Sequence, residues 1–340
     1  MTTSQASSST EKFRCLLVTR GEGGELSTAV TTRSLADLPP GDVLVRVAYS
    51  SLNYKDALSV TGHPGVTRKF PHVPGIDACG TVVRSTDGRF QPGDQVLITG
   101  HDLGQNTWGG LAEYVQVPAD WVLTLPAGLS LRESMVLGTA GLTAGLALRA
   151  LAHRGVQPGS GEVLVTGATG GVGSLAVAIL AHLGYAVVAS TGKEGEHAYL
   201  KELGAARVIS REEVHDTTGK PLLAARWAGA IDTVGGPTLS TVVRSLQRGG
   251  AVAACGLVGG AELSLTVYPF LLRGVDLVGI DSAECPQRVR EEVWGNLAGP
   301  WKPACLELLA REAGLEQLPA LVDSILQGGI RGRVLVDPHR

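Results

Sequence analysis

Short runs of β-branched and apolar residues, cut by Pro-Gly punctuation, dominate the first third of the chain. From Arg14 to about Trp121 these runs are brief, as in Val43-Leu44-Val45-Arg46-Val47 and Gln95-Val96-Leu97-Ile98, and Pro39-Pro40-Gly41-Asp42, Pro74-Gly75 and Pro92-Gly93-Asp94 separate them. The pattern predicts a compact, mostly antiparallel β domain. Over Thr139 to Ala152 it turns helical, and strands then alternate with helices near Val163, Ala186, Arg207, Ala230, Ala251 and Asp276. That rhythm predicts an α/β unit built on a doubly wound parallel sheet. Gly184 and Gly204 each sit just past an apolar helical run, where a left-handed C-cap residue belongs. After Ser282 come two more amphipathic stretches, and Gly332-Arg333-Val334-Leu335-Val336 closes the chain as a strand expected to return to the first β domain.

One segment carries more information than the rest. Val163-Leu164-Val165-Thr166-Gly167-Ala168-Thr169-Gly170-Gly171-Val172-Gly173-Ser174 runs from a strand through clustered glycines into an apolar helix over Leu175 to Leu183. Such a turn cradles a dinucleotide: Gly170 and Gly171 let the backbone approach a pyrophosphate, Gly173 lets the helix pack close to the sheet, and the helix N-terminus offers unpaired N–H groups to the phosphates. Thr169, Gly170, Gly171 and Val172 are the expected pyrophosphate lining. About 20 residues on, where an acidic residue marks a site for NAD, the chain reads Ser190-Thr191-Gly192-Lys193. Small hydroxyl residues and a lysine there suit a 2′-phosphate, so NADPH is expected over NADH.

The gross numbers narrow the class. The 340 residues carry a net charge of −3, enough chain for two cores and no reason to expect nucleic acid as partner. The polar, Ser- and Thr-rich start lacks the apolar core of a signal peptide and reads as a disordered tail over 1–12. No apolar run is expected to span a bilayer, so no membrane partner is expected. Cys15, Cys79, Cys255, Cys285 and Cys305 show no CxxC spacing, which implies neither a disulfide framework nor a structural zinc cluster. The cytoplasm is the expected compartment.

Several blocks in order then resemble a known family. Ser51-Leu52-Asn53-Tyr54-Lys55-Asp56, Pro71-His72-Val73-Pro74-Gly75-Ile76-Asp77, Trp108-Gly109-Gly110-Leu111-Ala112-Glu113-Tyr114 and Gly138-Thr139-Ala140-Gly141-Leu142-Thr143-Ala144 are similar to the medium-chain dehydrogenase/reductase superfamily, in its zinc-free quinone-oxidoreductase branch. Ala230-Ile231-Asp232-Thr233-Val234-Gly235-Gly236, Ala253-Ala254-Cys255-Gly256-Leu257, Pro269-Phe270-Leu271-Leu272-Arg273 and Gly279-Ile280-Asp281-Ser282 narrow the resemblance to NADPH-dependent acrylyl-CoA reductases. The resemblance implies a GroES-like catalytic domain over 13–135 and 284–340, a Rossmann NADPH-binding domain over 136–283, a cleft between them, and a homodimer. It also implies an acyl-CoA substrate. It places Asn53 and Tyr54 beside the nicotinamide, Arg211 near the adenosine phosphate as a second cation with Lys193, and Leu257, Leu271 and Ser282 on the nicotinamide half of the cofactor.

Zinc members of the superfamily polarise a carbonyl or alcohol through a metal. Here Leu52-Asn53-Tyr54-Lys55 offers no thiolate at the first ligand position, and Pro74-Gly75-Ile76-Asp77 replaces the usual Gly-His-Glu, so no metal is expected. His72 and His101 read as ordinary polar residues, with a ligand role as the minor alternative. Without a metal, hydride addition to an activated alkene is favoured over reduction of an isolated carbonyl, and hydrogen-bond donors must meet the charge that develops on the thioester oxygen. Tyr54 is the candidate donor and proton source, with packing on the nicotinamide as the competing role, and Asn53 is a second candidate donor. Lys55 and Asp56 read as a local ion pair and Asp77 as a buried loop anchor. Arg68 and Lys69, after Gly62-His63-Pro64-Gly65, are candidates for a CoA phosphate or are simply solvated charges. Leu257 and Leu271 can equally belong to a core.

Three further readings stand beside this one. The glycine loop also fits the short-chain reductase fingerprint, but no tyrosine here has a lysine four residues later. Quinone or enone reduction, and a non-catalytic NADPH-binding role, remain the alternatives.

Overall fold

The computed structural model of the chain describes residues 11–340, so of the expected tail only Glu11 and Lys12 can be placed, and Lys12 already opens the first strand. In chain order the elements are β1 (Lys12–Arg20), β2 (Leu26–Ser34), β3 (Val43–Leu52), α1 (Tyr54–Val60), β4 (Asp77–Ser85), β5 (Gln95–Thr99), β6 (Tyr114–Val117), β7 (Leu123–Thr124) and α2 (Leu131–Ala152). Then come β8 (Glu162–Val165), α3 (Gly171–His182), β9 (Ala186–Thr191), α4 (His197–Glu202), β10 (Arg207–Ser210), β11 (Trp227–Asp232), α5 (Gly236–Ser245), β12 (Leu246–Ala254), α6 (Tyr268–Arg273), β13 (Asp276–Gly279), α7 (Gln287–Leu297) and α8 (Leu306–Leu309). The chain ends with β14 (Ala310–Ala313), α9 (Leu318–Leu326) and β15 (Arg333–Val336).

The chain divides into two compact units, one holding residues up to Thr139 together with Ala310–Arg340, the other Ala140–Leu309. In the first, the sheet runs β14-β15-β3-β4-β5-β7 with β6 on β3, and β1 and β2 form a separate hairpin. β3 is antiparallel to β4, β6 and β15. It is buried on both faces: Val43, Val45 and Val47 enter one apolar cluster with Ala78, Val96 and Val115, and Leu44 enters another with Phe13 and Leu17. Complete burial of each such side chain stabilises by about 1.5–3 kcal/mol. The closing strand returns as expected, pairing Val334 with Leu52 and Val336 with Ser50.

In the second unit six strands run in the order β10-β9-β8-β11-β12-β13, all parallel. This is the doubly wound order that reverses beside its first strand, here between β8 and β11. Val163, Leu164 and Val165 of β8 are fully buried, as a central strand covered on both faces demands. Gly184 and Gly204 take φ of +82° and +101° and end α3 and α4 as left-handed caps.

Two expectations need correction. Residues 284–309 belong to the second unit, so the late boundary falls at 309/310 instead of 283/284. The apolar stripe of α7 finds its partner there: a Cβ at Gly145 would meet Val293 at 2.5 Å, Leu297 lies beside it, and Arg149 pairs with Glu292 at 2.8 Å. An amphipathic pattern does not say which core receives it. The second correction concerns α2, which by length and composition is apolar enough to cross a bilayer. Its most apolar stretch is 78% buried inside the protein, and the helix breaks at Gly138, whose backbone is non-helical at φ +51°.

Candidate active site

The parallel sheet builds the cofactor cradle from its strand ends. β8 ends at Val165, and Gly167 turns the chain with φ +57°. A Cβ at Gly173 would run into the carbonyl oxygen of Gly167, so this glycine sets how close α3 comes to the turn. Gly170 caps α3 with no side-chain hydrogen bond, and the first N–H groups of the helix, from Gly171 and Val172, are left for an anion. The loop is held from the neighbouring strand. Thr166 Oγ1 donates to Asp232 Oδ1 at 2.7 Å, Gly235 N–H donates to Asp232 Oδ2 at 2.7 Å, and Thr233 Oγ1 donates to the Thr166 carbonyl at 2.9 Å. Burial raises the Asp232 carboxyl above its ordinary range, against the Thr166 hydroxyl and the Gly235 and Val234 N–H groups that donate to it. Asp232 and Thr166 are positioning residues with no local sequence signal for that role, although Thr166 stands in the glycine segment and Asp232 in Ala230-Ile231-Asp232-Thr233-Val234-Gly235-Gly236.

At the end of β9 the expected phosphate residues come together. Ser190 and Thr191 are buried and pair with Ile209 and Ser210 of β10, so Arg211 follows directly alongside. A Cβ at Gly192 would collide with the Arg211 guanidinium, which lies over that backbone. Thr191 Oγ1 accepts the Lys193 N–H at 3.0 Å and fixes the turn. Partial burial lowers the Lys193 ammonium from its ordinary value, while the Glu196 charge raises it. Two cations therefore flank Gly192 where a carboxylate would repel a 2′-phosphate.

An open cavity of about 480 Å³ lies at the carboxyl ends of β12 and β13, lined by Cys255, Gly256, Leu257, Ile280 and Asp281 among others. Leu257 and Leu271 are 64% and 75% exposed, which excludes the core role left open for them. Ser282 Oγ accepts a hydrogen bond from Thr143 Oγ1 at 2.9 Å and is anchored just past the cavity-lining Asp281. The cradle thus presents glycine-sized space, helix N–H donors and paired cations, a donor set that fits NADPH.

The first unit contributes a buried polar network. Asp77 opens β4, and its carboxylate accepts Ser51 Oγ at 2.6 Å, Asn53 Nδ2 at 2.8 Å and Thr139 Oγ1 at 2.6 Å, with Arg333 Nη2 at 3.6 Å. Gly138 has no room for a side chain here, since a Cβ would meet Asp77, Arg333 and Ser51 within 2.8 Å. Arg333 also donates to Asn53 Oδ1 at 3.0 Å and to the Val136 carbonyl at 3.1 Å, and burial lowers its pKa against the pull of Asp77 and Asp56. Asn53 corrects its expected role. Its amide donates to Asp77 and to the Ser51 carbonyl and accepts from Arg333, so it positions the start of α1 rather than donating to a substrate. Asp56 is not paired with Lys55: it is buried and accepts the Asn53 and Ile76 N–H groups at 2.7 and 2.8 Å. Burial and then the Asp77 charge push its carboxyl up to about 7.

Tyr54 is the first residue of α1 and is 39% exposed. Arg68 is exposed and its Nε donates to the Pro64 carbonyl at 3.0 Å; Lys69 is exposed beside it. The histidines considered as ligands are held by other groups. His72 Nε2 contacts the Gly104 carbonyl at 2.9 Å, with burial pushing its pKa down to about 4, and His101 stacks on Trp121 at 5.3 Å.

A β-rich unit joined to a nucleotide-binding parallel sheet defines a two-domain nicotinamide-dependent oxidoreductase. Residues 39–127 match the alcohol dehydrogenase GroES-like domain, and 171–298 match the zinc-binding dehydrogenase domain. The chain belongs to the medium-chain dehydrogenase/reductase family. It is 49% identical to acrylyl-CoA reductase AcuI of Ruegeria pomeroyi over 96% of this chain and 99% of that one. It is 50% identical to the putative quinone oxidoreductase YhfP of Bacillus subtilis over 92% and 95% of the two chains, and the NAD-bound structure of that protein superposes with a TM-score of 0.94. The Salmonella enterica yhdH oxidoreductase, solved in complex with NADP, is 48% identical with a TM-score of 0.92 over 95% of this chain and 99% of its own.

Proposed function

We propose that this protein uses NADPH to reduce the C=C bond of a short enoyl-CoA, acrylyl-CoA to propanoyl-CoA. The observation that carries the reading is the near-full-length likeness to acrylyl-CoA reductase AcuI. The choice of NADPH rests on the chain itself, where Lys193 and Arg211 flank Gly192 at the end of β9. YhfP, solved with NAD, shares the fold, so the preference is argued from these cations and not from the fold.

When bound, NADPH supplies hydride to the β-carbon of the alkene. The chain's own residues do the remainder. Gly170, Gly171 and Val172 receive the pyrophosphate and Thr169 lines it; Ser190, Thr191, Lys193 and Arg211 hold the 2′-phosphate; Leu257, Leu271 and Ser282 flank the nicotinamide half. As charge grows on the thioester oxygen, the Tyr54 hydroxyl donates to it and then delivers the proton to the α-carbon, restoring its own proton from water. Hydride and proton together saturate the double bond, and the thioester stays intact. Asp77, Arg333, Asn53 and Asp56 hold the N-terminus of α1, and with it Tyr54, in place. The competing role for Tyr54, packing against the nicotinamide, is decided by Tyr54→Phe.

The exposed apolar side chains Val258, Val267, Tyr268 and Leu272 lie on the stretch of chain between β12 and the edge strand β13, and we assign them to a homodimer interface in a cytoplasmic enzyme. Reduction of acrylyl-CoA with NADPH deuterated at C4 tests the chemistry. Label at the β-carbon of propanoyl-CoA, with solvent hydrogen at the α-carbon, is expected; label at the α-carbon or no product overturns it. NADPH-dependent reduction of quinones alone would move the protein to the other reading, which the likeness to YhfP favours.

A further inference from the structure

The first unit carries a second set of arginines along one cleft. An open cleft of about 520 Å³, within the range of small-molecule sites, is lined by Arg20 at the end of β1, Arg33 near the end of β2, Arg68 of the loop after α1, and Phe70. The Arg33 Nε is buried and has no hydrogen-bond partner among the described residues. A buried guanidinium N–H without an acceptor is costly, and an incoming oxyanion relieves it. Arg20 stacks on the Phe70 ring at 4.4 Å, which makes a flat cationic platform suited to a purine. The Nε bond to Pro64 fixes Arg68 while its terminal amino groups carry further donors. The Glu25 side chain folds against Gly21 at the cleft edge.

We infer that this cleft binds the phosphorylated adenosine end of coenzyme A, with Arg20, Arg33 and Arg68 on its phosphates. The inference rests on the enoyl-CoA reading above and assigns the substrate's handle to the first unit. The cofactor has its own cations, Lys193 and Arg211, in the second. Guanidinium forks match phosphate oxygens two at a time, which favours an organic phosphate over a lone carboxylate. It also extends the expectation for Arg68 and Lys69: Arg68 lines the cleft, and its partners are Arg20 and Arg33.

Calorimetric titration with coenzyme A, dephospho-CoA and inorganic phosphate tests the site directly, using the intact protein and the variants Arg20→Gln and Arg68→Gln, both at exposed positions. Each variant should weaken CoA about tenfold and narrow its advantage over dephospho-CoA, as loss of one charge-assisted contact predicts. Equal CoA affinity in wild type and both variants, or inorganic phosphate binding as tightly as CoA, overturns the proposal. The KM ratio of acrylyl-pantetheine to acrylyl-CoA gives the kinetic counterpart, and it should fall about tenfold in each variant. If acrylyl-CoA is not reduced but CoA binding still depends on the arginines, the cleft stands and the catalytic reading falls. If acrylyl-CoA is reduced and CoA binding ignores the arginines, the cleft falls alone.

Discussion

Arg333, from the last strand, sets its guanidinium 3.6 Å from the carboxylate of Asp77, and both side chains are buried. Neither charge has water to return to, and each depends on the other together with Ser51, Asn53 and Thr139. Asp77→Asn or Arg333→Met should therefore destabilise the protein by about 3–5 kcal/mol, because one buried charge loses its counter-charge. The double variant should lose less than the sum. Urea unfolding checks both, and additive losses would show that the pair is not coupled.

The same network sets an expected pH dependence. Asp56 is pushed up to about 7 from 3.8, so the folded chain keeps a proton that the unfolded chain has released. Its contribution is complete below pH 3.8 and is lost as pH rises through about 7. His72, pushed down to about 4 from 6.5, acts oppositely: its contribution is present above 6.5 and is lost as pH falls through about 4. Asp56→Asn removes the first slope, so the variant's stability should rise with pH more steeply than the wild type's between about 4 and 7. Parallel urea-unfolding profiles for the two proteins would contradict the assignment.

Lys193→Ala should raise KM for NADPH by about 10- to 100-fold, the worth of one charge-assisted phosphate contact, and leave KM for NADH close to wild type. Arg211→Ala should act in the same direction. Equal effects on both cofactors would remove the 2′-phosphate role.

For Tyr54→Phe the expected result is a fall in kcat of about 10²-fold or more with little change in KM for NADPH, as for loss of a proton donor. Full turnover would leave Tyr54 a packing role.

Much of this was legible in the chain. The glycine segment, the six strand positions and the caps at Gly184 and Gly204 are local signals, and local chemistry writes them. Gly173 also spoke for itself, since only close approach of a helix to its turn calls for a glycine there. The Asp77–Arg333 pair was not legible, because its partners stand far apart in the sequence and only the return of β15 onto β3 brings them together. Arg20 and Arg33 were hidden for a similar reason: on a hairpin, charged residues at its two ends look like solvated edges until the fold brings Phe70 and Arg68 to the same cleft. Asn53 was misread because a polar residue beside a site gives no hint of which partner takes its hydrogens.

The most direct test of the account is kcat/KM measured in parallel for acrylyl-CoA, crotonyl-CoA and a simple quinone, each with NADPH and with NADH. The account predicts rapid turnover of acrylyl-CoA with NADPH, slower turnover with NADH, and weak activity on the quinone. Turnover of the quinone alone, or NADH used as readily as NADPH, would contradict it.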